Sequence, residues 1–413
     1  MTALVDRPAG RSGLDGGPVA PAGLRKFRPD IEGLRAIAVL LVVLYHAGVP
    51  FLPGGYVGVD IFFVISGFLI TTHLLPGLRD GRPVALGAFY ARRVRRLLPA
   101  ASLVVIVTVV ATWALLSVLQ ARQVGIDAIW TALFAMNIHL ALTGVDYQAN
   151  QDPSPLQHFW SLAVEEQYYL LWPVLLTLIA VAAARSRRIS PTAAITGAVI
   201  VLVAGSLAYS VYLTGAEPTY AYFLTTTRAW ELGVGGLVAV TAGWLAGRRW
   251  LQSGWVAALG LALMAGSALT YTEQTVFPGW TAAVPVAGAA LVIVSGMNRA
   301  NRVERHVLNH SPVQAIGRLS YGWYLWHWPV LIIAEMFLQR NLRLFESLAL
   351  VGIALWLAMC SYIAVEVPVR SLPALVSSTR QSLKLGAVLV LSVLLVAGSA
   401  TWIAPRMMGL GAQ

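Results

Sequence analysis

Arg35 and His46 stand eleven residues apart in Arg35-Ala-Ile-Ala-Val-Leu-Leu-Val-Val-Leu-Tyr-His46, the first apolar run of the chain. On a helix that spacing is about three turns, which sets both side chains on one face, about 16 Å apart along the axis. A cation and an imidazole on one stripe of an apolar helix are costly to place, so both are functional candidates. An imidazole titrates near neutral pH, and His46 is suited to take a proton from a hydroxyl as general base. Asp60, a short loop further on, is expected to orient that ring. The competing account makes His46 a polar residue at a helix end in the membrane interface.

Other candidates gather at two levels. The outer level is expected to hold His46, Asp60, His158, Glu165 and Glu166, with Arg228 and Glu231 deeper. Adjacent helical residues diverge by about 100°, so one of the two glutamates, Glu166, is expected to face a site shared with His46. Stabilisation by the helix dipole is the plainer account of that acidic pair. The inner level is expected to hold Arg35, Arg93, Arg96, Glu366 and Arg370. Arg93 and Arg96 are one turn apart and can grip phosphates by charge-assisted hydrogen bonds, or simply anchor topology. Ser66-Gly67 offers a small-residue face for a thin ligand or for close helix packing. Ser66, His158, Arg228, Glu231 and His327 are expected to line a cavity, with a structural hydrogen bond as the alternative for His327. Polar levels on opposite sides of one bundle suggest a ligand that reaches across it. No metal site is expected. Cys360 is the single cysteine, which excludes both a Cys pair and an intrachain disulfide framework.

These residues need a membrane bundle to position them. Of 413 residues, 58% are hydrophobic and 11% charged, and mean hydropathy is +0.71. Soluble domains carry roughly 25% charged residues. Apolar runs of about 18–23 residues separated by Arg clusters indicate a polytopic helical membrane protein, and the absence of strand alternation argues against a barrel. The net charge of +11 sits at the ends of apolar runs, where positive-inside topology explains it without a nucleic-acid partner. No cleavable signal peptide is evident. Spans are expected at about 33–50, 57–75, 97–117, 162–184, 191–213, 228–246, 251–270, 280–297, 319–338, 348–365 and 385–404. The segment 124–143 is expected to be re-entrant, because a crossing there would place Arg185, Arg187 and Arg188 outside. Arg340 and Arg343 are left on the outer side as exceptions.

Seven stretches in this order resemble the acyltransferase-3 family of bacterial integral membrane acyltransferases over about 29–372. They are Arg-Pro-Asp-Ile-Glu-Gly-Leu-Arg35 with His46, Gly58-Val-Asp60 through Ser66-Gly67, Arg93-Val-Arg-Arg96, His158-Phe-Trp through Glu166, Arg228-Ala-Trp-Glu231, Ser320-Tyr through His327-Trp-Pro, and Glu366-Val-Pro-Val-Arg370. The resemblance implies transfer of an acyl group, usually acetyl, from cytoplasmic acyl-CoA to an extracytoplasmic hydroxyl, commonly on a carbohydrate or glycoside. It implies Arg35 and His46 as the paired signature and Arg93 and Arg96 as the donor-side motif. Acyl-CoA (acetyl-CoA) is then a donor substrate, with no permanently bound cofactor. His46 either deprotonates the acceptor or carries the acyl group transiently.

The expected fold is all-α, a polytopic membrane helical bundle with a ten-span acyltransferase core, an eleventh C-terminal span and one re-entrant segment. The expected division is a disordered basic cytoplasmic tail at 1–30, the membrane acyltransferase domain at 31–372, a linker at 373–384, the last span at 385–404 and a short extracytoplasmic tail at 405–413. The expected location is the inner (plasma) membrane, N-terminus in and C-terminus out, with the lipid bilayer as partner. The most similar branch often carries an SGNH hydrolase-like domain after the eleventh span. Here about nine residues follow, so either the chain is cut before such a domain or works without one, and an SGNH-type domain or protein is a further candidate partner. From another class, a transporter of an acylated or anionic solute would use the same buried polar residues.

Overall fold

The computed structural model describes residues 28–145, 153–186, 188–298 and 300–410, with side chains described as far as Ile403. The basic tail before Arg28, the loop through Gln151 and Asp152, Arg187 and the last three residues lie outside the described residues. Among the described residues the regular structure is entirely helical.

The helices are α1 (Pro29–His46), α2 (Gly58–Leu78), α3 (Leu86–Leu115), α4 (Val118–Ala132), α5 (Met136–Thr143), α6 (Phe159–Ser186), α7 (Pro191–Ala216), α8 (Pro218–Phe223) and α9 (Thr225–Val240). They continue as α10 (Ala242–Ala246), α11 (Gly254–Thr270), α12 (Ala283–Ser295), α13 (Ser311–Leu338), α14 (Leu344–Ser361), α15 (Val367–Ser371), α16 (Pro373–Ser377) and α17 (Thr379–Leu410). Among the described residues, six helices are long and apolar enough to cross a bilayer: α2, α3, α6, α7, α14 with its continuation to Ser371, and α17. α11 and α12 are shorter apolar helices. At 13 residues, α12 reaches only about 20 Å, less than the ~30 Å hydrocarbon thickness. The chain is a multi-pass membrane helical bundle.

Helix boundaries follow local chemistry more than hydropathy. α1 starts at Pro29 rather than 33, with Asp30 and Glu32 in its first turn. Proline suits the first helical position, and acids there oppose the dipole. α3 starts eleven residues before the expected span, so Arg92, Arg93, Arg95 and Arg96 are helical rather than loop residues. The segment expected to be re-entrant is two helices, α4 and α5, broken at Phe134, which has φ of 51°. The expected linker is also helical: α16 occupies its first half, and α17 begins at Thr379 and runs unbroken through the expected tail to Leu410. α17 packs on α3 and α4, and Arg95 donates to Leu375 O at 2.9 Å and Ser382 Oγ at 2.7 Å. Arg340, the outer-side exception, is paired with Glu346 through two 2.8 Å contacts.

Two close crossings fix the centre. α2 meets α9 backbone to backbone: a Cβ at Gly67 would fall 1.8 Å from Leu232 O, and one at Gly235 2.0 Å from Val64 O. Small residues allow such approach between membrane helices. α1 lies along α13, where a Cβ at Gly317 would fall 2.1 Å from Glu32 O. Further along the same pair, His46 meets His327.

Candidate active site

Two adjoining cavities open into the bundle. The larger, about 290 Å³, is walled by α1, α2, α3, α6 and α13. The smaller, about 260 Å³, lies among α1, α3, α13 and the segment from Tyr362 to Arg370. Arg35, Arg96 and Tyr321 border both. The smaller cavity adds Arg318 and Arg370, opposed by Glu32 and Glu366, and so has four guanidinium groups and two carboxylates. Sequence reasoning missed Arg318; its i, i+3 spacing to Tyr321, which borders both cavities, is the available signal. The Tyr362–Glu366 stretch is a π-helical turn, a feature frequent at functional sites. Glu366 Oε1 and Ser320 Oγ are buried without a hydrogen-bond partner among the described residues.

Arg93 and Arg96 both border the larger cavity. Arg93 is ion-paired with Glu166, and its Cζ lies 3.4 Å from the centre of the Tyr169 ring. Ser66 Oγ donates to Glu165 at 2.8 Å. Ser66 thus faces the cavity while the adjacent Gly67 serves the α2–α9 crossing, so the small-residue face has both uses. The glutamates depart from expectation. They border the cavity beside the arginines and do not join His46 at an outer level. α6 begins at Phe159, which sets Glu165 about 9 Å along the helix, well inside rather than at its first turn.

His46 is half-buried at the end of α1, and His327 of α13 is fully buried. His46 Nδ1 is 2.9 Å from His327 Nε2, and His327 Nδ1 is 2.7 Å from Tyr324 O. The two imidazole planes are nearly parallel, 11° apart, with ring centres 5.2 Å apart, so they meet edge to edge, and the Trp328 ring centre lies 4.5 Å from that of His46. Tyr324 borders the larger cavity, and its hydroxyl is 2.6 Å from Ser161 Oγ. It therefore links the cavity wall to the histidine pair. Sequence reasoning missed it, although the i, i+3 spacing from Tyr324 to His327 places both on one helical face.

Asp60 is not the partner of His46. Its Oδ1 accepts from Arg228 Nη1 at 2.9 Å, and the same nitrogen donates to Glu231 at 2.7 Å. A buried carboxylate goes to the available cation, here one that α9 carries against α2. Arg228 also donates to Tyr222 O at 3.1 Å. His158 Nε2 donates to Leu325 O at 3.1 Å. His158, Arg228, Glu231 and His327 do not border either cavity; of the five residues expected to do so, Ser66 does. His306 and His310 form an i, i+4 pair. His306 Nδ1 is 2.7 Å from Arg302 O, and no metal-holding group of three His, Cys, Asp or Glu gathers among the described residues.

The chain is similar to the putative peptidoglycan O-acetyltransferase YrhL of Bacillus subtilis, with 32% identity over 84% of this chain and 55% of that protein. It is 29% identical to O-acetyltransferase OatA of Staphylococcus aureus, over 84% of this chain and 57% of that protein. It is also 29% identical to peptidoglycan O-acetyltransferase OatA of Listeria monocytogenes, over 84% of this chain and 56% of that protein. The chain thus spans a little over half the length of these curated relatives. No solved structure matches it. The model of the acyltransferase domain family matches residues 28–365, and the chain belongs to that family, the acyltransferase-3 family.

Proposed function

We propose that this chain is a membrane O-acetyltransferase that moves an acetyl group from cytoplasmic acetyl-CoA to a hydroxyl of a peptidoglycan-type glycan outside the membrane. The observation that carries this reading is that the two cavities adjoin, with Arg35, Arg96 and Tyr321 in the wall of both. Four guanidiniums border the smaller one, Arg35 and Arg96 among them also border the larger one, and Tyr324 in the wall of the larger one is linked through His327 to His46. Phosphate groups of the donor suit the arginines, which bind such groups through paired charge-assisted hydrogen bonds. Buried Ser320 Oγ and Glu366 Oε1 offer a donor and an acceptor to amide or hydroxyl groups of the same molecule.

In this reading the acceptor hydroxyl gives its proton to His46 and attacks the thioester carbonyl carbon. The C–S bond then breaks, and the departing thiolate takes up that proton to leave as CoA thiol. The arginine-rich face is cytoplasmic, the N-terminus is inside, the C-terminus is outside, and the membrane is the inner (plasma) membrane. An SGNH-type domain or protein is a further partner of this reaction. Purified protein in micelles, given labelled acetyl-CoA and soluble glycan oligomers, is expected to transfer label. The variant His46→Ala should lose about 10²-fold or more. Full activity of that variant would remove His46 from the mechanism. An isolable acetyl-protein adduct that forms without acceptor and is lost in the variant would replace the base role by an acyl carrier. Binding and liposome transport of solute without turnover would make the protein a transporter.

A further inference from the structure

A side pocket of about 20 Å³ adjoins the larger cavity. The two share Ala101 of α3, Phe159 of α6 and Phe134 at the break between α4 and α5. The other walls of the side pocket include Val105 of α3, Thr131 of α4, and Val390 and Val393 of α17. α17 lies past residues 28–365, the stretch matched by the family model, so family membership does not by itself give this pocket a role. We infer that the side pocket takes the methyl end of the donor's acyl group and confines transfer to chains of two or three carbons, with Phe134 and Val393 as specificity-determining walls. This inference rests on the reading of the larger cavity as the donor's.

The pocket lies toward the histidine end of the larger cavity. With a rise of about 1.5 Å per residue, Ala101 stands about 7.5 Å and Val105 about 13 Å past Arg96 on α3, much as His46 stands about 16 Å past Arg35 on α1. The ring centre of Phe159 is 4.7 Å from that of His158, and the His158 ring centre is 5.8 Å from that of His327, which meets His46. A donor with its phosphates at the arginines and its thioester directed to His46 brings its acyl group to Phe159.

A space of about 20 Å³ has room for one or two heavy atoms. In an apolar pocket, each methylene that fits or fails to fit changes the rate about 10- to 200-fold. Phe134 gives this wall its rigidity. Its φ of 51° lies in the left-handed region that favours glycine, and Gln167 Nε2 holds its carbonyl at 2.8 Å. An aromatic residue kept in such a conformation is accounted for by a side chain that walls both cavities.

The competing account is a packing void with one water on Thr131 Oγ1, which is buried without a hydrogen-bond partner among the described residues. The purified full chain in detergent separates the two when given acetyl-, propionyl-, butyryl- and hexanoyl-CoA with soluble glycan oligomers. Wild type is expected to show a kcat/KM for butyryl-CoA roughly 100-fold or more below that for acetyl-CoA. Phe134→Gly, which opens the wall and suits the backbone there, and Val393→Ala should each shrink that ratio at least tenfold, by rough estimate. Val393→Ile adds one methylene and should lower propionyl relative to acetyl transfer about tenfold. Gly352→Ala, with open space around its Cβ, should keep the wild-type ratio. A wild-type chain that uses butyryl-CoA as well as acetyl-CoA overturns the inference, whatever the variants do, and so do folded Phe134→Gly and Val393→Ala chains with the wild-type ratio. A Val393→Ile chain with a raised thermal midpoint and unchanged donor preference also overturns it, in favour of the void. Should Phe134→Gly and Val393→Ala fail to fold, Val393→Ile and the wild-type comparison decide. Absence of transfer from every acyl-CoA by wild type is a separate result: it overturns the donor reading and the inference with it.

Discussion

Arg228 is the most exacting test of the packing described here. Its side chain is 1% exposed, as is that of Asp60, and that of Glu231 is fully buried. One guanidinium serves both carboxylates at 2.9 and 2.7 Å and a backbone carbonyl at 3.1 Å. Its Cζ also lies 5.1 Å from the ring centres of Tyr222 and Phe277. Arg228→Met keeps much of the volume and removes the charge, which leaves two carboxylates together without a cation. Breaking a buried pair in this way costs about 3–5 kcal/mol. Asp60→Asn is a different perturbation. It removes one carboxylate charge and leaves Arg228 and Glu231 as a one-to-one pair, at an expected cost of about 1 kcal/mol or less. The assay is thermal unfolding in one detergent, followed by tryptophan fluorescence and by the monodisperse fraction on a sizing column. Arg228→Met should lower the midpoint by roughly 5–10 °C, or remove the folded fraction, while Asp60→Asn shifts it by no more than about 2 °C. Adding Asp60→Asn and Glu231→Gln to Arg228→Met should recover at least half of the loss, because no uncompensated charge remains. An Arg228→Met chain as stable as wild type, or an Asp60→Asn chain as unstable as Arg228→Met, would refute the reasoning.

Gly67→Ala should prevent accumulation of folded protein, since its Cβ would meet backbone at Leu232 O and overpacking against a rigid wall costs about 3 kcal/mol or more. Gly352→Ala, with open space around its Cβ, should be neutral or stabilising by up to about 1 kcal/mol; both are read by yield and thermal midpoint. Arg318→Gln and Arg370→Gln should each raise the KM for acetyl-CoA roughly tenfold with kcat little changed, and steady-state kinetics at varied salt checks this. Reporter fusions at Gly81 and Gly144 should report the cytoplasmic and outer sides respectively. A cytoplasmic signal at Gly144 would mean that α4 and α5 together cross the membrane.

What the sequence reveals about this site depends on how far each interaction reaches along the chain. Apolar run length announces a helical membrane bundle, because the bilayer imposes it locally. Arg93 with Arg96, and Arg228 with Glu231, are legible because one helical turn sets their relation. The partners of buried charges are not legible in this way. Asp60 is 14 residues from His46 in the chain, yet it bonds to Arg228, 168 residues away. Glu166, expected to face a site shared with His46, pairs instead with Arg93. His46 meets His327 across 281 residues. Proximity in sequence suggested Asp60 for His46 and a shared outer level suggested Glu166, whereas a buried carboxylate pairs with the cation that helix packing brings to it.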